Sequence, residues 1–420
     1  MRENIFYFDY ASTTPIDPAI LRAMQPYFTK DFGNPSNLYE LGRRAREAIE
    51  EARRKISRVL NCRPDELIFT GSATEADNLA IAGTARANRE LGNKIIISNI
   101  EHKAVLATCR QLAKEGFDIA ELPVGRSGLV NPEELEKILD EKTILVSIMY
   151  ANNEIGTIQP IGKIGKLING FREKKHSPTP FFHTDAAQAL QFLDCDTGKL
   201  GVDLLTLSSH KLYGPKGVGG LFHRQSVSIA PIIYGGSQQQ SFRPGTENVA
   251  GIVGLGCAVA LAQKNRKAES ARLESLRDQL EKGIFKTIPK VILNGHPTRR
   301  LPNFLNISIL DIEGEALLLY LDKKGVMAGT GSACNSETLE PSYVLAALGH
   351  PYEYIHGSLR FTLGKYTKNS DVDYVLKTLP EIVAKLRKLS PINLKLGRKE
   401  KISRPQAFVG GELPHFLRKK

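Results

Sequence analysis

The chain predicts an α/β fold, with a mainly parallel sheet in a large domain and a smaller α+β domain after it. Three observations carry this expectation. Short apolar runs alternate with helical patterns through the first half of the chain, the signature of a parallel sheet. With 420 residues, 41% of them hydrophobic, the chain can bury a sizeable core and divide into two domains. From about residue 264 the pattern changes to a long charged amphipathic stretch.

The elements follow in order. The expected strands are Glu66–Phe69, Lys94–Ser98, Ile119–Leu122, Thr143–Met149, Pro180–His183, Asp203–Leu207 and Gly219–His223, which makes a seven-stranded sheet. Helical patterns lie between them at Glu75–Glu90, His102–Glu115 and Pro132–Asp140. Arg172–Pro180, rich in charge and proline, reads as a surface loop. Lys264–Ile288 reads as the long helix that joins the two domains. Pro302–Ile309 follows as a strand and Gly314–Lys323 as a short apolar helix.

Charge and cysteine content narrow the function classes. The formal charge is +12, and residues 385–420 hold eleven Lys/Arg against two Glu, so the rest of the chain is nearly neutral. That tail lacks the interleaved aromatics of a stacking surface, so a solvated basic terminus is expected before a nucleic-acid site. No apolar stretch is long enough to span a bilayer. The N-terminal residues lack signal-peptide architecture. Five cysteines, at 62, 109, 195, 257 and 334, are scattered and form no Cys-x-x-Cys pair. This argues against a disulfide framework or an intrinsic zinc site and fits the reducing cytoplasm.

The chemistry-bearing motifs sit where strands end. Lys211 lies in Ser208-Ser209-His210-Lys211, just after the run ending at Leu207. In open α/β sheets, ligands bind at the carboxyl ends of strands. A lysine there is either a turn residue or one that bonds a cofactor aldehyde. Asp185 ends the run His183-Thr184-Asp185. It reads as a helix cap or as the carboxylate that keeps a pyridinium nitrogen protonated, with Gln188 placed to meet the ring's phenolic oxygen. Thr70-Gly71-Ser72-Ala73-Thr74-Glu75 follows a strand and opens a helix. It is an ordinary capping box, or else Ala73 and Thr74 receive a phosphate on which Ser208 and His210 converge. His102, in Glu101-His102-Lys103, is a capping histidine or a ring-stacking acid/base. Asn153, in Asn152-Asn153-Glu154, can hold a carboxylate edge or a ring oxygen. Arg360 suits an amino-acid carboxylate, or a structural salt bridge.

Cys334 stands apart from the other cysteines. Its setting, Gly329-Thr330-Gly331-Ser332-Ala333-Cys334-Asn335-Ser336, is polar and small, which predicts an exposed loop where a thiolate can act as a nucleophile. The other four read as inert core residues.

With these motifs in order, the chain resembles the NifS/IscS-type cysteine desulfurases. These belong to the class V aminotransferase family, among the fold-type I pyridoxal 5'-phosphate (PLP) enzymes. The likeness runs from Phe8-Asp9-Tyr10-Ala11-Ser12-Thr13-Thr14-Pro15 to about Leu389-Ser390-Pro391. It includes Phe32-Gly33-Asn34-Pro35-Ser36, Arg243-Pro244-Gly245-Thr246-Glu247-Asn248 and Gly331-Ser332-Ala333-Cys334. The order Gly71-Ser72 is reversed from the family's more usual Ser-Gly, and the stretch after Pro391 departs from its usual C-terminus.

The resemblance implies a role for each position. Lys211 bonds the PLP aldehyde, Asp185 pairs with the ring nitrogen, and Gln188 and Asn153 meet the ring oxygen. His102 stacks on the ring and moves protons. Ala73, Thr74, Ser208 and His210 bind the phosphate. Thr246 reaches the phosphate of a neighbouring subunit, so a homodimer is implied. Arg360 and Asn153 hold the carboxylate of L-cysteine. Cys334 takes the sulfur as a persulfide and leaves L-alanine. The acceptor expected is an iron–sulfur scaffold protein or a tRNA-thiolation protein, and Cys334 would meet a nascent cluster only on that partner. The expected division is 15–263 as the PLP-binding large domain and 1–14 with 264–395 as the small domain. The small domain carries the cysteine loop 327–340, and 396–420 is a flexible basic tail. Two other readings stay open here: a different PLP-dependent lyase or aminotransferase, selenocysteine lyase-like, and a non-catalytic sulfur-transfer scaffold.

Overall fold

A computed structural model describes residues 5–330, 342–390 and 394. A short strand β1 (Phe6–Tyr7) opens the chain. The central sheet follows as β2 (Leu67–Thr70), β3 (Lys94–Ser98), β4 (Asp118–Leu122), β5 (Thr143–Ser147), β6 (Phe181–Asp185), β7 (Leu204–Ser208) and β8 (Gly219–His223). Its seven strands run in the order β2-β8-β7-β6-β5-β3-β4. The pairs from β7 through β6, β5 and β3 to β4 are parallel, and only β8 runs against its neighbours β2 and β7. The fold is therefore α/β with a mainly parallel sheet, as the alternating pattern predicts.

The burial explains the sequence pattern. Helices cover both faces, so β5, β6, β7 and β8 are buried along their whole length and read as near-continuous apolar runs. β4 lies at an edge and keeps Asp118 and Glu121 exposed. The helix Glu40–Leu60 buries Ala45, Ile49, Ala52, Ile56 and Leu60 on one stripe and stops at Asn61, which takes the left-handed conformation. The segment Arg172–Pro180 differs from the loop expected for it. The helix Ile161–Lys175 runs on through its basic last turn, where positive side chains suit the helix dipole, and ends at a left-handed His176.

A helix of 39 residues, Val249–Thr287, leads to a second sheet. This sheet has β9 (Val291–Leu293), β10 (Phe304–Ile309) and β12 (Ser358–Thr362), antiparallel in the order β12-β10-β9. A short β11 (Val326–Met327) pairs in parallel with β1. The Thr362 N–H donates to the Phe8 carbonyl at 2.7 Å, so the N-terminal segment is woven into this second unit. Residues 9–14 then cross back over the carboxyl end of the central sheet, where the Thr14 N–H donates to the His210 carbonyl at 3.1 Å. That crossing positions the site.

Candidate functional site

The polar residues picked out by the sequence come together along one edge. Asp185 is the last residue of β6 and Ser208 the last of β7. β3 ends at Ser98 and leads to Glu101 and His102, while β5 ends at Ser147 and leads to Asn152 and Asn153. β2 ends at Thr70 and leads to the helix that opens at Ala73. All five strands point the same way, so their carboxyl ends share the crevice expected of an open α/β sheet.

Lys211 follows β7 in a short 3-10 turn. Its Nζ donates to the carbonyl of Ala11 at 2.5 Å and of Ser12 at 2.6 Å. The Ala11 carbonyl also accepts from Gln188 Nε2 at 3.0 Å. Asp185 is buried, and its Oδ1 accepts the Ala187 N–H at 2.8 Å. Burial pushes the Asp185 carboxyl up, while His102, the Ala187 N–H and Lys211 pull it back.

His102 caps the helix Lys103–Lys114, with its Nδ1 accepting the Ala104 N–H at 3.1 Å. Burial drives its ring below the usual histidine range against the pull of Asp185, and Lys211 and Lys103 add to the shift. The ring is therefore neutral near pH 7, and because Nδ1 accepts the cap bond its proton sits on Nε2. The capping role is compatible with donating a proton from Nε2–H, because the cap uses only Nδ1.

Ser72 caps the helix at Ala73 by accepting the Glu75 N–H at 3.1 Å. The Glu75 carboxylate takes the Gly71 N–H at 2.8 Å and Arg243 at 3.0 Å, so it does not complete a reciprocal capping box. Gly219 of β8 packs on this turn. A Cβ there would lie 2.6 Å from the Ser72 carbonyl carbon and 2.9 Å from the Ala73 nitrogen. Ser208 pairs with Gly219 across the sheet, and His210 Nδ1 meets Thr13 Oγ1 at 3.1 Å. Burial lowers His210 to about 4, leaving a neutral ring. Thr246 is exposed, in the segment before the helix Val249–Thr287.

Asn152 and Asn153 divide their work. Buried Asn152 accepts the Glu154 and Ile155 N–H groups and so builds the turn. Asn153 Oδ1 is buried without a hydrogen-bond partner, while its carbonyl accepts Arg360 Nη1 at 2.8 Å. Arg360 is buried on β12, with Nη2 on Asp9 at 2.7 Å and on Ser12 at 2.9 Å, and its Nε has no partner. Cys334 lies outside the described residues. The segments leading to it are tied to this edge. The Gly329 N–H donates to the Arg360 carbonyl at 3.0 Å, and on the far side Ser342 Oγ donates to Glu154.

Four acids escaped the sequence reading: the buried Asp77, Glu101 and Glu154, and the half-buried Asp9. Burial raises Glu101 to about 8 and Glu154 to about 7. The available signal was an acid within an apolar or strand-end run, as in Phe8-Asp9-Tyr10. An isolated acid of that kind is compatible with a turn or a cap, so it did not stand out.

The fold and this edge define a class that the comparisons support. The class-V aminotransferase family model matches residues 6–375. Cysteine desulfurase IscS of Methanosarcina thermophila is 50% identical over 389 residues, covering 93% of this chain and 94% of the relative. A solved NifS-like protein superposes with a TM-score of 0.85 at 36% identity, over 91% of this chain and all of that one. A solved structure of SspA in complex with cysteine gives a TM-score of 0.75 at 35% identity, over 86% of this chain and 99% of that one. The chain belongs to the IscS/NifS-type cysteine desulfurases of the class-V aminotransferase family.

Proposed function

We propose that the chain is a PLP-dependent cysteine desulfurase that passes the sulfur of L-cysteine to Cys334 and then to an acceptor protein. One observation carries the cofactor reading: the Lys211 amine and the buried Asp185 carboxyl sit at the ends of adjacent parallel strands, β7 and β6. The residues present fit PLP. There is an amine for the aldehyde and a buried carboxyl for the ring nitrogen. The buried Oδ1 of Asn153 has no internal partner. Beside the Ala73 turn, a glycine stands where any side chain would strike the backbone. Lys211 would hold the aldehyde and Asp185 the ring nitrogen. Gln188 and Asn153 would meet the ring oxygen, and Ala73, Thr74, Ser208 and His210 the phosphate.

When bound, PLP supplies a ring that takes up the electron pair released at the substrate α-carbon. This chain's residues do the rest. Neutral His102 and the Lys211 amine are the groups placed to move protons at that carbon. Arg360 and Asn153 hold the substrate carboxylate. The Cys334 thiolate attacks the substrate sulfur, so an S–S bond forms as the carbon–sulfur bond breaks. The carbon–sulfur bonding pair stays on the β-carbon, which takes a proton to become the methyl group, the α-carbon regains its proton to give L-alanine, and Cys334 keeps the persulfide. A loop of small polar residues suits a nucleophile that must react and then deliver its cargo.

A homodimer is part of the reading. Thr246 is exposed, as a residue that completes a neighbour's phosphate site must be. The single chain also leaves Phe28, Phe32, Leu38 and Tyr234 exposed, which favours a subunit contact. The acceptor is an iron–sulfur scaffold or tRNA-thiolation protein, and the compartment is the cytoplasm. Among the described residues no helix is long and apolar enough to cross a membrane.

The test is to count alanine and sulfide from L-cysteine on purified yellow protein. Equal amounts are expected, and Lys211→Ala should abolish both products and the visible band. Keto-acid formation would point to an aminotransferase. A colourless protein that takes up no PLP would refute the reading.

A further inference from the structure

Behind Asp185 lies a second buried carboxyl that the reaction does not use. Asp77 is 1% exposed and sits in the helix that opens at Ala73. Neither of its oxygens has a well-formed hydrogen bond. Its Oδ1 lies 3.7 Å from Nε2 of His183, a fully buried residue of β6 two positions before Asp185. His183 Nε2 also meets Thr206 Oγ1 at 3.1 Å, and its Nδ1 meets Ser147 Oγ at 2.8 Å. Asp77, Thr206, His183 and Ser147 thus form a polar row under β5, β6 and β7.

The row has two possible directions of hydrogen bonding. If Asp77 is an anion, it accepts from Thr206, Thr206 accepts from His183 Nε2–H, and Ser147 donates to Nδ1. If Asp77 is neutral, every bond reverses. Asp77 then donates to Thr206, Thr206 donates to His183 Nε2, and the His183 proton sits on Nδ1 and goes to Ser147. No cation stands in this row to balance an anion, because burial lowers His183 to about 3 and keeps its ring neutral. Asp185 and Glu101 face Asp77 as further acids, and with burial they push the Asp77 carboxyl well above its usual range, against a smaller pull from Thr206. Of the three acids, Asp185 alone has the Lys211 amine to offset its charge.

We propose that Asp77 is a positioning residue for Asp185: a neutral carboxyl that donates into the row, sets the His183 proton on Nδ1, and leaves Asp185 as the anionic carboxyl beneath the site. The geometry gives the contact a second purpose. The helix of Asp77 opens at the Ala73–Thr74 turn, and the strand of His183 ends at Asp185. Their contact sets the spacing between the turn and the acid. This deepens the PLP reading and rests on it.

Two measurements test it. The first uses cofactor-free protein with 15N-labelled histidine, and His183→Gln identifies the signals. The Nδ1–H tautomer is expected in the wild type and in Asp77→Asn, whose amide can still donate; an Nε2–H tautomer in the wild type overturns the proposal. The second titrates PLP into wild type, Asp77→Asn and Asp77→Ala. Asp77→Ala should weaken binding about 10-fold or more, the scale of a lost buried donor, and Asp77→Asn should stay within about 2-fold of wild type. Should Asp77→Ala not fold, Asp77→Asn decides: binding weakened or strengthened about 10-fold shows that a charge was removed, and the proposal fails. Wild-type-like binding by a folded Asp77→Ala also overturns it. If the wild type itself takes up no PLP, the cofactor reading and this positioning role fall together, while the tautomer still reports the state of Asp77.

Discussion

Arg360 Nη2 lies 2.7 Å from Asp9 Oδ1, joining residues 351 positions apart at the carboxyl end of the sheet. With Nη1 on the Asn153 carbonyl and Nη2 shared with Ser12, only Nε is left without a partner. A substrate carboxylate held at Arg360, as proposed, would compete with Asp9 for the fork, and the two residues make a pair of predictions with opposite sign.

Arg360→Lys replaces a planar fork with a point charge and cannot serve Asp9, Asn153 and a substrate together. KM for cysteine should rise about 10-fold or more, near 1.4 kcal/mol, with the visible band kept. Asp9→Asn removes the competing anion and should lower KM. Steady-state kinetics checks both, and an unchanged KM in Arg360→Lys would show that the guanidinium only braces the fold.

Gly219 lets β8 approach the Ser72–Ala73 turn. A methyl group there would stand 2.6 Å from backbone, so the turn must move. Gly219→Ala should weaken PLP binding about 10-fold, on the order of one lost buried hydrogen bond. At the neighbouring Gly220 the nearest atoms to an added Cβ are 3.5 Å away, an ordinary contact, so Gly220→Ala should bind as wild type does. Fluorescence titration of cofactor-free protein compares them, and equal effects from the two would remove the link to the turn.

Much of the fold was legible because a parallel sheet covered on both faces makes its inner strands apolar runs. β3, with Ile95, Ile96 and Ile97 in succession, is an example. The strand order was not legible, since nothing local to β3 says that it sits between β5 and β4. The long helix was seen only from Lys264, where charges begin to alternate. Its first turns, from Val249, are small and apolar and pack on the helix Glu40–Leu60, with Gly256 against Ala52, so they carry no amphipathic signal. At the site, Asp185 was legible because it ends a strand and Lys211 because it follows the end of one. Asp77 was not, because its burial depends on which way a helix turns after Ala73. The Arg360–Asp9 pair depends on a tertiary crossing that no local pattern encodes.

The cysteines separate by chemistry. Burial pushes the thiols of Cys62 and Cys109 up to about 12 and that of Cys195 up as well, so all three stay protonated at pH 8. Cys334→Ala should keep the yellow colour and lose sulfide and alanine formation by about 100-fold or more, the scale of a removed nucleophile. Cys62→Ser and Cys109→Ser should leave turnover within about 2-fold, since their thiols are not nucleophiles. Visible spectra and product counts check this, and full turnover by Cys334→Ala would sink the nucleophile assignment.

Glu101 gives the pH dependence of stability a definite sign. Burial raises its folded carboxyl to about 8, while the unfolded chain titrates near 4.5. Between these values the unfolded state releases a proton that the folded state keeps. Its contribution is therefore fully present below pH 4.5 and is lost as pH rises to about 8. The buried histidines act on the other side. His210, lowered to about 4, and His183, lowered to about 3, lose stability as pH falls below the ordinary histidine range, because only the unfolded rings gain a proton there. Glu101→Gln keeps an acceptor for Ser98 and the Met149 N–H but cannot ionise. The melting temperature of the cofactor-free variant, minus that of wild type, should increase from pH 5 to pH 8 by roughly 2 °C or more. A difference that stays flat or falls across that range would mean that Glu101 is already ionised in the fold. The acid beside His102 would then be a charge that the site must balance.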